Sequence, residues 1–337
     1  MRRTFNRLYG NETQKTRIGS AIASARLNHA LLICGPDGSG KNTLAIEIAA
    51  ALNCERKGDG AYPLPCATCN NCRRIYDENF PDVKRLKKDS SKATIGVEEL
   101  RLFREDMFLS ATESAHKIYI VENAERMTPN AQNALLKVLE EPPSSVTIML
   151  LCEEADKILT TIKSRAQLVT MQRFSPDEIT RYLKSAGKLT DTTEKTSEVV
   201  MSADGRIGRA IEILESPEEV EADRKTATDI ITAMRTGAPY SELYSAVANL
   251  PQKRAELSEA LELIILAVSD LVKLKTDKGA PLSFFANRKS ALDTAEAIPL
   301  KKLLSAYDAL RDAADENAKN ANISALINCL GAKIKLI

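Results

Sequence analysis

The chain has 337 residues, enough for roughly two or three domains and a sizeable buried core. Lys and Arg number 47 against 46 Asp and Glu, so the near-neutral charge excludes a histone-like or basic-arm binder that works by long-range attraction to nucleic acid. Aromatic residues are only 4% with no tryptophan, which argues against a binder built on stacking with single-stranded bases. The longest apolar run, 263–268, is far short of the ~20 residues a membrane span needs, and no signal-peptide pattern follows Met1; the chain reads as cytoplasmic, with no membrane partner.

In chain order, helical spacing over 17–26 leads to an apolar run at 30–34, a glycine-rich turn, and a helix over 42–52. Further short apolar runs follow at 83–86, 118–121, 146–152 and about 168–171, and strands alternating with helices predict a parallel α/β sheet. Between two of these runs, Thr128-Pro129 forms an N-cap and N1 pair. Ala131, Ala134, Leu135, Val138 and Leu139 then repeat at helical spacing until Pro142-Pro143 stops the helix. Strand signals vanish after Ser175. Short helices are expected at 176–186, 196–202 and 207–214, a charged linker at 215–224, and then an all-helical region whose stripe is Leu257, Ala260, Leu261, Ile264, Ile265, Val268, Leu271 and Val272. This divides the chain into an α/β domain at 1–173, a small helical domain at 174–217 and an all-α domain at 218–337.

Residues 35–43, GPDGSGKNT, fit the phosphate-binding pattern G-x-x-x-x-G-K between a predicted strand and a helix. Gly35, Gly38 and Gly40 let backbone N–H groups converge on phosphate oxygens, and Lys41 adds a compact charge at a helix N-terminus. Where working loops place a magnesium-binding hydroxyl, this chain has Asn42, and Thr43 sits one residue out of register. Two readings stay open: a loop that still holds ATP or ADP, and a relic of the fold. After the 118–121 run come Glu122-Asn123, at positions where phosphate-loop ATPases place an Asp for magnesium and a Glu for water. Asn123 cannot take a proton from water, and Glu122 is longer than the Asp it replaces. Intrinsic ATP hydrolysis is therefore not expected.

Cys54, Cys66, Cys69 and Cys72 have the spacing C-x11-C-x2-C-x2-C, which favours one tetrahedral, structural zinc in a module over about 54–80. Reduced surface thiols are the plainer alternative. Cys34, Cys152 and Cys329 lie in apolar contexts and are expected in cores; His29 and His116 are expected to be structural.

Taken together, the pattern resembles the AAA+ clamp-loader subunits of bacterial DNA polymerase III. The resemblance is carried by 27–30 (LNHA), the phosphate loop, the four-cysteine insert, the string at 133–143 (NALLKVLEEPP), and 161–165 (TIKSR). It implies an AAA+ phosphate-loop α/β domain with a zinc-binding insert, then a helical lid, then an all-α collar through which subunits assemble, with 320–322 leading into the last helix. It also implies work within a complex of gamma/tau and delta subunits, a sliding clamp, and primed DNA reached through the assembled loader.

The family's ATP-hydrolysing gamma/tau members carry a hydroxyl beside the loop lysine and an Asp-Glu pair. Asn42 and Glu122-Asn123 depart from both. Their phosphate-sensing Thr falls at Glu153 or Glu154, and their second sensor arginine aligns with Gly208, beside Arg209. The Ser-Arg-Cys motif persists as Ser164-Arg165-Ala166. An arginine kept on a subunit that has lost its hydrolytic groups suits a finger donated in trans, so Arg165 is the expected catalytic contribution. Two rivals remain. One is an active gamma/tau-like ATPase, and the other is a zinc-dependent nucleic-acid adaptor using Arg73, Arg74, Lys84, Arg85, Lys87 and Lys88, a set that otherwise reads as a solvated face.

Overall fold

The computed structural model describes residues 5–57, 63–87, 94–189, 199–215, 217–235, 239–285, 287–319 and 321–335. It divides into two compact units, Met1–Glu178 and Ile179–Ile337. Lys88, Asn320 and the first three residues of the expected helix at 196–202 lie outside the described residues.

In the first unit, α1 (Glu12–Ala23), β1 (Ala30–Cys34), α2 (Lys41–Leu52) and α3 (Asn70–Tyr76) are followed by β2 (Val83–Leu86), α4 (Val97–Met107) and β3 (Lys117–Val121). Then come α5 (Pro129–Glu140), β4 (Val146–Cys152), α6 (Thr160–Lys163) and β5 (Gln167–Thr170), and α7 (Pro176–Ser185) runs across the boundary into the second unit. The five strands are all parallel, in the order β2-β3-β4-β1-β5. Every residue of β1, β3 and β4 is buried, because helices cover both faces of the sheet. The period of two sorts them: Leu31, Ile33, Ile118, Ile120, Met149 and Leu151 face α2 and the cysteine insert, while Leu32, Tyr119, Val121, Ile148 and Leu150 face α5. Cys34 and Cys152 are register partners on that second face and buried; Cys329 is exposed, because it falls on the outer side of its helix.

Helix α5 forms as its caps dictate. Thr128 Oγ1 accepts the Ala131 N–H at 3.2 Å, Pro129 opens the first turn, and Ala131, Gln132, Leu135, Val138 and Leu139 are buried against the sheet. His29 is structural, since its Nε2–H donates to the Leu139 carbonyl at 3.0 Å and ties the last turn of α5 to the chain entering β1.

The second unit is helical apart from its connections: α8 (Ile207–Glu215), α9 (Pro217–Ala233), α10 (Tyr240–Ala248), α11 (Arg254–Thr276), α12 (Arg288–Ala297), α13 (Leu300–Ala318) and α14 (Ile323–Lys335). The expected charged linker at 215–224 is instead mostly helix α9. Acidic residues early in a helix suit its N-terminal end, and the face carrying Ala227, Ile230 and Ile231 is buried. Leu257, Leu261, Ile264, Val268 and Leu271 of α11 form the centre of the core, with Ile265 and Val272 at its margin. No described helix is long and apolar enough to cross a membrane.

Asp82 fixes the connection between α4 and β3. Its buried carboxylate accepts the Thr112, Glu113 and Ser114 N–H groups at 2.7, 2.8 and 2.8 Å and the Ser114 hydroxyl at 2.9 Å. Burial alone would raise its pKa, but these donors outweigh it and hold the carboxyl below its ordinary 3.8. With the folded pKa depressed, the stability Asp82 contributes is present above the unfolded pKa and is lost as pH falls through the folded one. Asp82→Asn should cost about 2–4 kcal/mol in urea unfolding at neutral pH, with the difference from the parent chain shrinking in acid.

Candidate functional site

The C-terminal ends of parallel strands share one edge of the sheet, and the candidate nucleotide groups emerge there. Gly35 follows β1, its N–H donating to Cys152 O at 3.1 Å, and Gly38 and Gly40 take φ of 69° and 90° before α2 begins. A Cβ on Gly35 would lie 2.7 Å from the Met171 carbonyl oxygen, so close packing demands that glycine, while at Gly40 the left-handed φ of 90° does. Lys41 Nζ donates to the carbonyls of Gly35 and Pro36 at 2.7 and 2.9 Å, folding the loop around its own cation. Asn42 is exposed and Thr43 half-buried in the first turn of α2.

Glu122 follows β3, and its carboxylate is already engaged. Arg85, on edge strand β2, donates to Glu122 Oε1 from Nη2 at 2.6 Å and from Nε at 2.9 Å. The two side chains are only 16% and 15% exposed. Arg85 also pairs with Glu78, which Lys87 shares. Arg85 is therefore no part of a free solvated face. The basic residues around it are also spoken for: Lys84 pairs with Asp106 at 2.6 Å and Arg74 with Glu113 at 2.5 Å. Sequence reading missed the Arg85–Glu122 pair because the two residues are far apart in the chain; only the β2–β3 register joins them. Asn123 takes a left-handed φ of 50°, a conformation its short amide side chain tolerates.

Glu153 and Glu154 are exposed beyond β4, with Glu154 paired to Lys157 at 3.0 Å. The stretch 205–209 lies in the second unit, where Arg206 pairs with Glu262 at 3.1 Å. Arg165, just past α6, is 35% exposed, and its Nη2 lies 2.7 Å from Glu140 Oε1.

Cys54, Cys66, Cys69 and Cys72 are all buried, with sulfurs within 4.8 Å of one another. Cys66 and Cys72 Sγ are 3.9 Å apart, against about 3.8 Å for two thiolates on one tetrahedral zinc with 2.3 Å bonds. The Cys69 N–H points at Cys66 Sγ and the Cys72 N–H at Cys69 Sγ, both at 3.4 Å. Burial would raise the Cys66 pKa, but the N–H groups of Thr68 and Cys69 outweigh it and lower it to about 6. The donor set fits a closed, four-sulfur metal site held between the end of α2 and the start of α3.

A phosphate loop opening from β1 and this strand order define an AAA+ phosphate-loop α/β unit. The family model described as DNA polymerase III, delta subunit, matches residues 10–175. The DNA polymerase III subunit delta' of Bacillus subtilis is 31% identical over 206 residues, 61% of this chain and 60% of that protein. The DNA polymerase III subunit gamma of Buchnera aphidicola is 32% identical over 214 residues, 63% of this chain and 58% of that protein. The chain thus spans about 60% of the length of these curated relatives. A DNA polymerase III gamma subunit-related protein of Thermotoga maritima shares the fold, with 16% identity and a TM-score of 0.51 over 94% of this chain and 98% of that one. Residues 10–175 thus match the DNA polymerase III delta-subunit family model, and over about 60% of its length the chain is similar to DNA polymerase III delta' and gamma subunits. Relatives of the delta' and gamma kinds match at nearly equal identity, so similarity does not separate the two kinds of subunit.

Arg85→Met should destabilise the chain by about 2–3 kcal/mol in urea melts, since it strands a mostly desolvated carboxylate. Arg85→Met combined with Glu122→Leu should recover most of that loss. A neutral single variant would show that Glu122 is not held by this pair.

Proposed function

We propose that the chain is a delta-prime-type clamp-loader subunit that does not hydrolyse ATP, donates Arg165 in trans to the ATP site of a gamma/tau neighbour, and helps load a sliding clamp onto primed DNA. The observation that carries this reading is the Arg85–Glu122 pair. The carboxylate that would bring magnesium to the loop is neutralised by a fixed guanidinium, next to an asparagine that cannot activate water. Asn42 beside the loop lysine points the same way. The phosphate loop keeps Gly35, Gly40 and Lys41, so weak binding of ATP or ADP without turnover is the expected combination.

In this reading residues 174–217 serve as a helical lid and 218–337 as the collar for assembly with gamma/tau and delta subunits. DNA is met through the assembled loader, in the cytoplasm. The cysteine module carries a structural zinc, because four thiolates leave no open position for a reacting water. A gamma/tau-like ATPase is the alternative, favoured by the similarity to gamma and tau subunits.

Two measurements test the reading. Metal analysis of the purified chain should find about one zinc equivalent, lost in Cys72→Ser; chelation should unfold the insert before the sheet, because site assembly is coupled to metal binding. A metal-free chain with an ordered insert would overturn the assignment. For the arginine, the isolated chain should turn over ATP only at background, and Arg165→Ala in the reconstituted loader should remove the turnover of the one site it serves. A finger of this kind is worth about 10³–10⁵ at its site, so total ATPase should fall in part and clamp loading should fall with it. Steady turnover by the isolated chain, abolished in Lys41→Ala, would favour the ATPase alternative.

A further inference from the structure

Three strings that are distant in sequence converge on the last turn of α5. His29 holds the Leu139 carbonyl at 3.0 Å, and the next residue, Glu140, holds Arg165 Nη2 at 2.7 Å. Pro142 and Pro143 cannot continue the helix, so α5 ends at Glu140 and the helix end fixes where that residue's backbone lies. At the other end of the same helix, buried Gln132 donates to Lys157 O at 3.2 Å and accepts the Leu159 N–H at 2.8 Å. Helix α5 therefore grips the chain on both sides of α6, through Gln132 before it and through Glu140 after it. Arg165 Nη1 completes the hold with bonds to Thr161 O at 3.0 Å and Ser164 Oγ at 3.1 Å.

We infer that Glu140 is the positioning residue for Arg165: it fixes the guanidinium in the orientation that it presents to a neighbouring subunit's phosphates. This rests on the reading that Arg165 acts in trans. An ion pair whose partners are 35% and 49% exposed adds little to folding stability, so stability does not account for it. Its effect is on freedom. Arginine has several rotatable bonds, and a cation that must meet charge developing on a transferred phosphoryl group is more effective when it is already ordered. Glu140 contacts no phosphate in this scheme and acts only through Arg165.

The test uses the full chain reconstituted with gamma/tau and delta subunits, clamp and primed DNA. Arg165→Ala defines the share of ATP turnover that the arginine supports. Glu140→Gln should lower kcat for that share by about two- to tenfold, the cost of ordering one long side chain, with KM for ATP and assembly unchanged. Glu140→Asp, which keeps the charge at shorter reach, should fall between. The combination of Glu140→Gln with Arg165→Ala should be no slower than Arg165→Ala alone, because both changes act on one group. The positioning role is overturned if Glu140→Gln leaves turnover unchanged or raises it while Arg165→Ala lowers it, or if the two changes add. A silent Arg165→Ala overturns the trans reading together with this one, so the two failures are told apart by which variant is silent.

Discussion

Burial of a parallel sheet on both faces is the constraint from which the rest of the first unit follows. Strands β1, β3 and β4 are buried along their whole length and apolar apart from Lys117 and Thr147, and parallel connection sends every strand's C-terminal end to the same edge. The phosphate loop, Glu122 and Glu153 leave the sheet at that edge because no other edge is available to them. Helices must then cover both faces. The same demand places α2 with the cysteine insert on one side and α5 on the other.

At that edge, charges that would serve chemistry are tied into structure. Glu122 sits where a magnesium ligand would be expected, yet Arg85 supplies its positive charge from within the fold. Lys41 turns onto the carbonyls of its own loop. Arg165 lies at the opposite edge of the sheet, just before β5, and although Glu140 pairs with it the guanidinium still reaches solvent, at 35% exposure.

The cysteine insert solves a local shortage of core. A short loop-rich segment between α2 and α3 has few large side chains to bury, and its sulfurs lie beside Leu64 and Ile75 as a compact cluster. A metal at the centre would replace the missing hydrophobic area with coordination energy, as small metal-bound modules do. The backbone N–H groups aimed at Cys66 and Cys69 orient these sulfurs from the next shell outward.

Much of this was legible in the residues. The apolar runs located all five strands to within one residue at each end, and Thr128-Pro129 with Pro142-Pro143 delimited α5, because such signals are local: a cap, a period, a backbone that cannot continue. The cysteine spacing told of the sulfur cluster for the same reason. The charged stretch at 215–224 misled, since charge density alone does not separate a linker from the solvated face of a helix. The two ion pairs on which the proposed function rests were not legible at all. Arg85 meets Glu122 through strand register, and Glu140 meets Arg165 through the packing of α5 against α6; each is a contact between segments whose separation in the chain says nothing of their distance in space. Local pattern writes the elements, but which side chain neutralises which is set only when the sheet orders its strands and the helices settle on its faces.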